Sequence, residues 1–208
     1  ALTAAILAMV FSGVGRAADT SAPGVSDRDL EAKIQYCTYC HQPLGQGFLG
    51  SSPIPRLAGQ QTEYFKNQLQ AFIERRRVNK FMFKVAHSLS QEMLTALATH
   101  FSAFNPKPLG GAPTELVAEG KKIFETGVPD AKVPPCSTCH GPEAKGNGAF
   151  PRLAGQLDPY IIKVLGNWDQ ERGQDPAKPD TSAIMKPIAH NLTESQIAAV
   201  AAYLSYLE

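Results

Sequence analysis

Apolar positions in the 208-residue chain recur at helical spacing, and nowhere do they alternate at the two-residue period of a strand. Behind Thr62, the residues Tyr64, Phe65, Leu69, Phe72 and Ile73 fall on one helical face, and Asp158-Pro159 opens a counterpart that the same spacing carries through Trp168. Ser90 precedes Met93, Leu94, Leu97 and Phe101. Thr193, with Gln196 three positions on, precedes Ile197, Val200, Leu204 and Leu207, so both segments read as capped amphipathic helices. Earlier in each half, Ser26 with Asp29 predicts a helix through Tyr36, and Thr114 predicts one through Phe124. The fold class expected is all-α. Asn105 to Pro113 reads Asn-Pro-Lys-Pro-Leu-Gly-Gly-Ala-Pro, too rich in proline and glycine for a helix, which makes 106–113 a linker.

The two sets of helices are copies of one pattern. Pro55-Arg56-Leu57-Ala58-Gly59-Gln60 recurs as Pro151-Arg152-Leu153-Ala154-Gly155-Gln156, and Met82, Ala86, His87 and Leu89 match Met185, Ala189, His190 and Leu192. The offset is 96 residues for the first block and 103 for the second, so length changes fall between blocks, where loops belong. Two tandem domains are expected from this internal duplication, over 18–105 and 114–208. Ala1 to Gly15 is apolar and small, and Val14-Gly15-Arg16-Ala17 suits a signal peptidase, so 1–17 reads as a signal remnant and the protein as exported.

All four cysteines lie in two further matched segments, Cys37-Thr38-Tyr39-Cys40-His41 and Cys136-Ser137-Thr138-Cys139-His140. C-x-x-C-H is the pattern that attaches c-type haem: two thiols three positions apart add to two vinyl groups on one porphyrin edge, and the adjacent histidine reaches the iron. A structural zinc or a thioredoxin-like pair leaves the paired histidines unexplained. A disulfide across two residues closes too short a loop to stabilise much. Two covalently bound haems c, with Cys37, Cys40, Cys136 and Cys139 as thioethers, account for every one of these residues.

Composition narrows the partners. The net charge is +1, which argues against nucleic acid. Residues 18–105 carry 9 basic and 7 acidic side chains, whereas 106–208 carry 10 and 12, a modest polarity able to orient docking of other redox proteins. Each half is small for a hydrophobic core alone, so haem is expected to supply core volume.

The sixth position on the iron decides the function: a thioether closes it and suits electron transfer, whereas an open site permits peroxide or gas chemistry. His41 and His140 are the proximal ligands. Met82 and Met185 occupy matched positions between the middle and last helices and are the expected sixth ligands, whereas Met93 sits on an apolar helical face as core. His87 and His190, each five residues further on, are the competing ligands. His100 has no counterpart and reads as structural. Glu74-Arg75-Arg76-Arg77 is the densest basic run, either a docking site for an acidic partner or a solvated helix end.

With C-x-x-C-H and PRLAGQ paired in both halves, the chain resembles the cytochrome c4 family, dihaem proteins of two class I cytochrome c domains. That resemblance implies that the carbonyls of Pro55 and Pro151 accept hydrogen bonds from His41 and His140. It implies that Gly120, Phe124 and Tyr203 form the crossing of first and last helices, a pattern the first half lacks. It also favours Arg56 and Arg152 as partners of the haem propionates over a solvent-facing role. The function expected is a monomeric periplasmic electron carrier, not an enzyme, with peripheral membrane association if the signal is kept as an anchor. By resemblance the donor is a quinol-oxidising cytochrome bc complex or a small periplasmic protein, and the acceptor a haem-copper terminal oxidase. The alternative is the haem subunit of a periplasmic oxidoreductase of the flavoprotein sulfide dehydrogenase, thiosulfate-oxidising or peroxidase type.

Overall fold

The computed structural model describes residues 24–172, 177 and 181–208; the expected signal segment lies outside them. In the N-terminal half the helices are α1 (Asp27–His41), α2 (Thr62–Ile73), α3 (Lys80–Ala86) and α4 (Gln91–Ser102). In the C-terminal half they are α5 (Val117–Thr126), α6 (Ser137–His140), α7 (Asp158–Gly166), α8 (Trp168–Glu171), α9 (Ser182–Asn191) and α10 (Glu194–Tyr206). Isolated bridges such as Phe48 with Ile54 are the only β pairing among the described residues.

The last helices start as the sequence predicts. The Ser90 side chain accepts from the Met93 N–H, and Thr193 with Gln196 forms a complete capping box. The first helices depart from expectation. Ser26 caps α1 through the Asp29 N–H, but α1 does not stop at Tyr36. With no glycine or proline to break it, it runs on through Cys37 and Cys40 to His41. Thr114 makes no side-chain cap; Thr114–Leu116 is a 3₁₀ turn leading into α5. Gly127, at φ 71°, ends α5, and Pro129, Pro134 and Pro135 keep the following loop out of a helix, so the second motif begins a short helix of its own. The helix expected through Trp168 is two: α7 follows Pro159 in its first turn, breaks at Asn167 (φ −131°, ψ 42°), and resumes as α8.

Each half has its own core. In the first, Phe65, Leu69 and Phe72 of α2 meet Leu94, Leu97 and Phe101 of α4, with Leu30, Ile34 and Cys37 of α1 packed against them. The second gathers Ile123 and Phe124 of α5 with Ile197, Val200 and Leu204 of α10. A small third cluster, Val164, Trp168 and Ala189, carries Tyr160 and Met185 against it.

Candidate functional site

His41 ends α1 and His140 ends α6, both buried. Nδ1 of His41 donates to the Pro55 carbonyl at 2.8 Å, and Nδ1 of His140 to that of Pro151 at 2.9 Å. A proton fixed on Nδ1 leaves Nε2 with its lone pair, the tautomer a metal needs. Burial lowers both imidazole pKa values, against the opposing pull of the proline carbonyls, so the rings stay neutral at neutral pH.

The loops that carry these carbonyls are built alike. Gly47 N–H donates to the His41 carbonyl and Gly146 N–H to that of His140; Leu57 and Ala58 both donate to Gly45, as Leu153 and Ala154 do to Ala144. A side chain at Gly146 would start 2.4 Å from the Phe150 oxygen, at a left-handed φ of 73°. Glycine is therefore required for proline to come within reach of the histidine.

No disulfide joins any of the four cysteines. Burial pushes Cys37 and Cys136 up to about 11, so at neutral pH both are thiols rather than the thiolates that would hold a bare metal ion. Among the described residues no three His, Cys, Asp or Glu side chains converge on a metal-sized point, so the motifs do not form a zinc cage. Met82 is half-buried against the first core and Met185 against the third cluster, while Met93 is core. The rival histidines both lie at the surface. Exposed His87 turns Nδ1 back to the Phe83 and Lys84 carbonyls, and exposed His190 reaches Asp169 at 3.2 Å. His100 packs edge-on against Phe101 and Phe104.

Arg56 and Arg152 are 4% and 7% exposed, which excludes the solvent-facing role. They meet at the contact between the halves. The Gln156 side chain accepts from the Arg56 backbone N–H at 2.8 Å and donates to its carbonyl at 3.1 Å; Gln60 does the same to Arg152 at 2.7 and 3.1 Å. Asn105 Oδ1 accepts from both guanidiniums, at 3.2 and 2.9 Å. The two glutamines and Asn105 were not anticipated as site residues. The repeat of PRLAGQ is the only signal for the glutamines, and Asn105 lies outside it, because a cross-pairing of two loops is invisible until they are folded together.

Nη1 of Arg56 is buried without an acceptor, and burial, then the neighbouring Arg152, draws its guanidinium down to about 10. An unpaired buried cation donor, on the residue next to the proline that orients His41, fits haem, whose propionates are carboxylates.

Replacing Gln156 by Ala leaves a buried Arg56 N–H and carbonyl without partners, and is expected to cost about 2 kcal/mol in denaturant unfolding of the holo protein. A change below a few tenths would show that this contact does not hold the halves together.

The cytochrome c family profile matches residues 117–208. A cytochrome c4 of Thiocapsa roseopersicina is 38% identical over 194 residues, covering 90% of this chain and 96% of that protein. A thiosulfate dehydrogenase electron acceptor of Thiomonas intermedia is 36% identical over 173 residues, covering 81% and 77%. The structure of reduced recombinant cytochrome c4 from Pseudomonas stutzeri, 29% identical, covers 88% of this chain and 99% of that one with a TM-score of 0.74. Matched over most of its length in sequence and in fold, the chain belongs to the cytochrome c4 family of c-type electron carriers, and its two cytochrome c domains carry covalently bound haem c.

Proposed function

We propose that this protein is a periplasmic carrier that passes electrons between respiratory partners through two haems of closed coordination, one in each of the domains 18–105 and 114–208, joined by a linker over 106–113. Cys37 and Cys40 hold one haem and Cys136 and Cys139 the other. His41 with Met82, and His140 with Met185, are the axial ligands, and Arg56 and Arg152 receive propionates. Bound haem supplies a one-electron ferric/ferrous couple. The chain binds it, orients the histidines and keeps water from the iron.

One observation carries the reading. The carbonyl that orients His41 belongs to Pro55, and the next residue, Arg56, is held by Gln156 of the other domain; Pro151, Arg152 and Gln60 repeat the arrangement. The two histidine supports are thus one residue each from a shared contact, which fixes the haems relative to one another as transfer between them requires. The exposure of His87 and His190, and the pairing of His190 Nε2 with Asp169, support methionine as the sixth ligand.

The donor proposed is a cytochrome bc complex or a small periplasmic protein, and the acceptor a haem-copper oxidase. Among the described residues no helix is long and apolar enough to cross a membrane. Similarity to a thiosulfate dehydrogenase electron acceptor favours a second reading, in which the carrier serves a thiosulfate-oxidising enzyme.

A spectroelectrochemical titration is expected to resolve two one-electron steps per chain, and a single haem per chain would contradict the reading. Met185→Ala is expected to remove half of the far-red ferric band and to bind one carbon monoxide per reduced chain, with His190→Ala leaving both unchanged. Full retention of the band in Met185→Ala would sink methionine ligation in the second domain.

A further inference from the structure

We infer that Arg77 and Arg172, with Tyr64, Tyr160 and Gln68, form a clamp for carboxylates shared between the two domains, and that its occupants are haem propionates. The inference rests on the two-haem reading above and adds a second receiving site to Arg56 and Arg152.

Within the basic run Glu74 and Arg75 are exposed, but Arg77 is drawn into the contact between the domains. Arg75 lies 4.3 Å over the Phe83 ring, Arg76 pairs with Glu74, and Arg77 folds back to lie 4.5 Å over Phe72. From there Arg77 donates to Gln68 Oε1 at 3.0 Å and to the Tyr160 hydroxyl oxygen at 2.9 Å. Arg172 donates to the same Gln68 oxygen at 2.6 Å, and to the hydroxyl oxygens of Tyr64 and Tyr160 at 3.2 Å each. Two guanidiniums therefore converge on one amide oxygen and one phenol oxygen.

Arg172 is only 6% exposed, and among the described residues neither arginine has a carboxylate partner. Neutral acceptors do not cancel two like charges withdrawn from water; an anion does. The Tyr160 phenol responds to the same excess: burial alone would push it up, yet Arg77 and then Arg172 draw it down to about 8.

Placement names the anion. Phe72, under Arg77, belongs to the core against which Met82 packs, and Tyr160 packs beside Met185 on the third cluster. The clamp thus joins the methionine walls of both haem sites. It is also cross-wired: Arg77 of the first domain holds Tyr160 of the second, and Arg172 of the second holds Tyr64 and Gln68 of the first. Neither domain possesses it alone.

The test is a spectroelectrochemical titration of holo Arg172→Gln and Arg77→Gln, with resonance Raman of the propionate bending modes. Loss of one positive charge stabilises ferric haem, so each single substitution is expected to lower both potentials. A shift of about tenfold in each reduction equilibrium is ~59 mV for a one-electron couple. A shift confined to the haem of the substituted domain, or no shift, overturns the clamp. Should either variant fail to load two haems, Arg172→Lys keeps the charge but loses the fork, and Tyr64→Phe removes one donor; both are then expected to shift both haems by less, and unmoved potentials overturn it. Wild-type potentials that follow added phosphate at constant ionic strength would identify a solution anion and remove the propionate assignment. A wild-type protein with one haem would instead refute the functional reading.

Discussion

A chain in which Cys37, Cys40, Cys136 and Cys139 are all serine is expected to lose roughly half or more of its far-ultraviolet helical signal and its cooperative melt. The helices are amphipathic, and their apolar faces close on cores of modest size: the first is built around Phe65, Leu69, Phe72, Leu94, Leu97 and Phe101, the second around Ile123, Phe124, Ile197, Val200 and Leu204. At roughly 80 to 100 residues a domain, such cores stabilise only marginally. What remains inside is expensive without the cofactor. His41 and His140 are buried with only Nδ1 satisfied, and Nη1 of Arg56 has no acceptor. Under the proposed assignment haem would offset these together, since the histidine Nε2 atoms, the guanidiniums and the methionine side chains are the groups that would receive its iron, carboxylates and apolar ring. Circular dichroism of the serine variant tests this directly, and native helicity with a sharp melt would show that the polypeptide folds unaided.

The parts legible in the sequence are those written in local spacing. Ser90 and Thr193 announce their helices because a cap is a contact across three residues, and Cys37 to His41 announces haem because its chemistry lies within five. The repeat raised single residues to pairs, so that Met82 and Met185 stood apart from Met93 although all three are methionines on helices. Failures came where the deciding partner is far along the chain. Arg77 reads as one of a basic run until Tyr160 and Gln68 are seen beside it, and Arg56 looks equally able to face water until Gln156, a hundred residues away, is seen on its backbone. The extension of α1 through its motif has a different origin: no glycine or proline stands between Tyr36 and His41, so nothing in the chain stops the helix before the motif ends.

Gly120→Ala is expected to destabilise the holo protein by about 3 kcal/mol in spite of alanine's better helix propensity. Propensity alone would favour alanine by about 1 kcal/mol inside α5. Sterics oppose it more strongly. A Cβ at Gly120 would lie 2.0 Å from the Ala199 carbonyl oxygen, 2.6 Å from its carbon and 2.8 Å from Tyr203 Cβ. Two of these are backbone atoms of α10, which cannot rotate away, so α5 and α10 must separate. Separation strips contacts from fully buried Phe124, whose ring lies 5.6 Å from that of Tyr203, and from Ile123 and Val200. The strain also reaches the haem site, since Cys136 Sγ lies 3.9 Å from the Ile123 carbonyl oxygen. In the first domain α1 has no glycine and packs through Leu30 and Ile34 instead, so the close crossing belongs to the second domain alone. Gly166→Ala is the control: it ends α7, nothing lies within 4 Å of its would-be Cβ, and it is expected to be neutral or stabilising. Urea unfolding of both variants decides the matter, because equal stability of Gly120→Ala and the wild type would mean that the crossing of α5 and α10 is looser than the geometry requires.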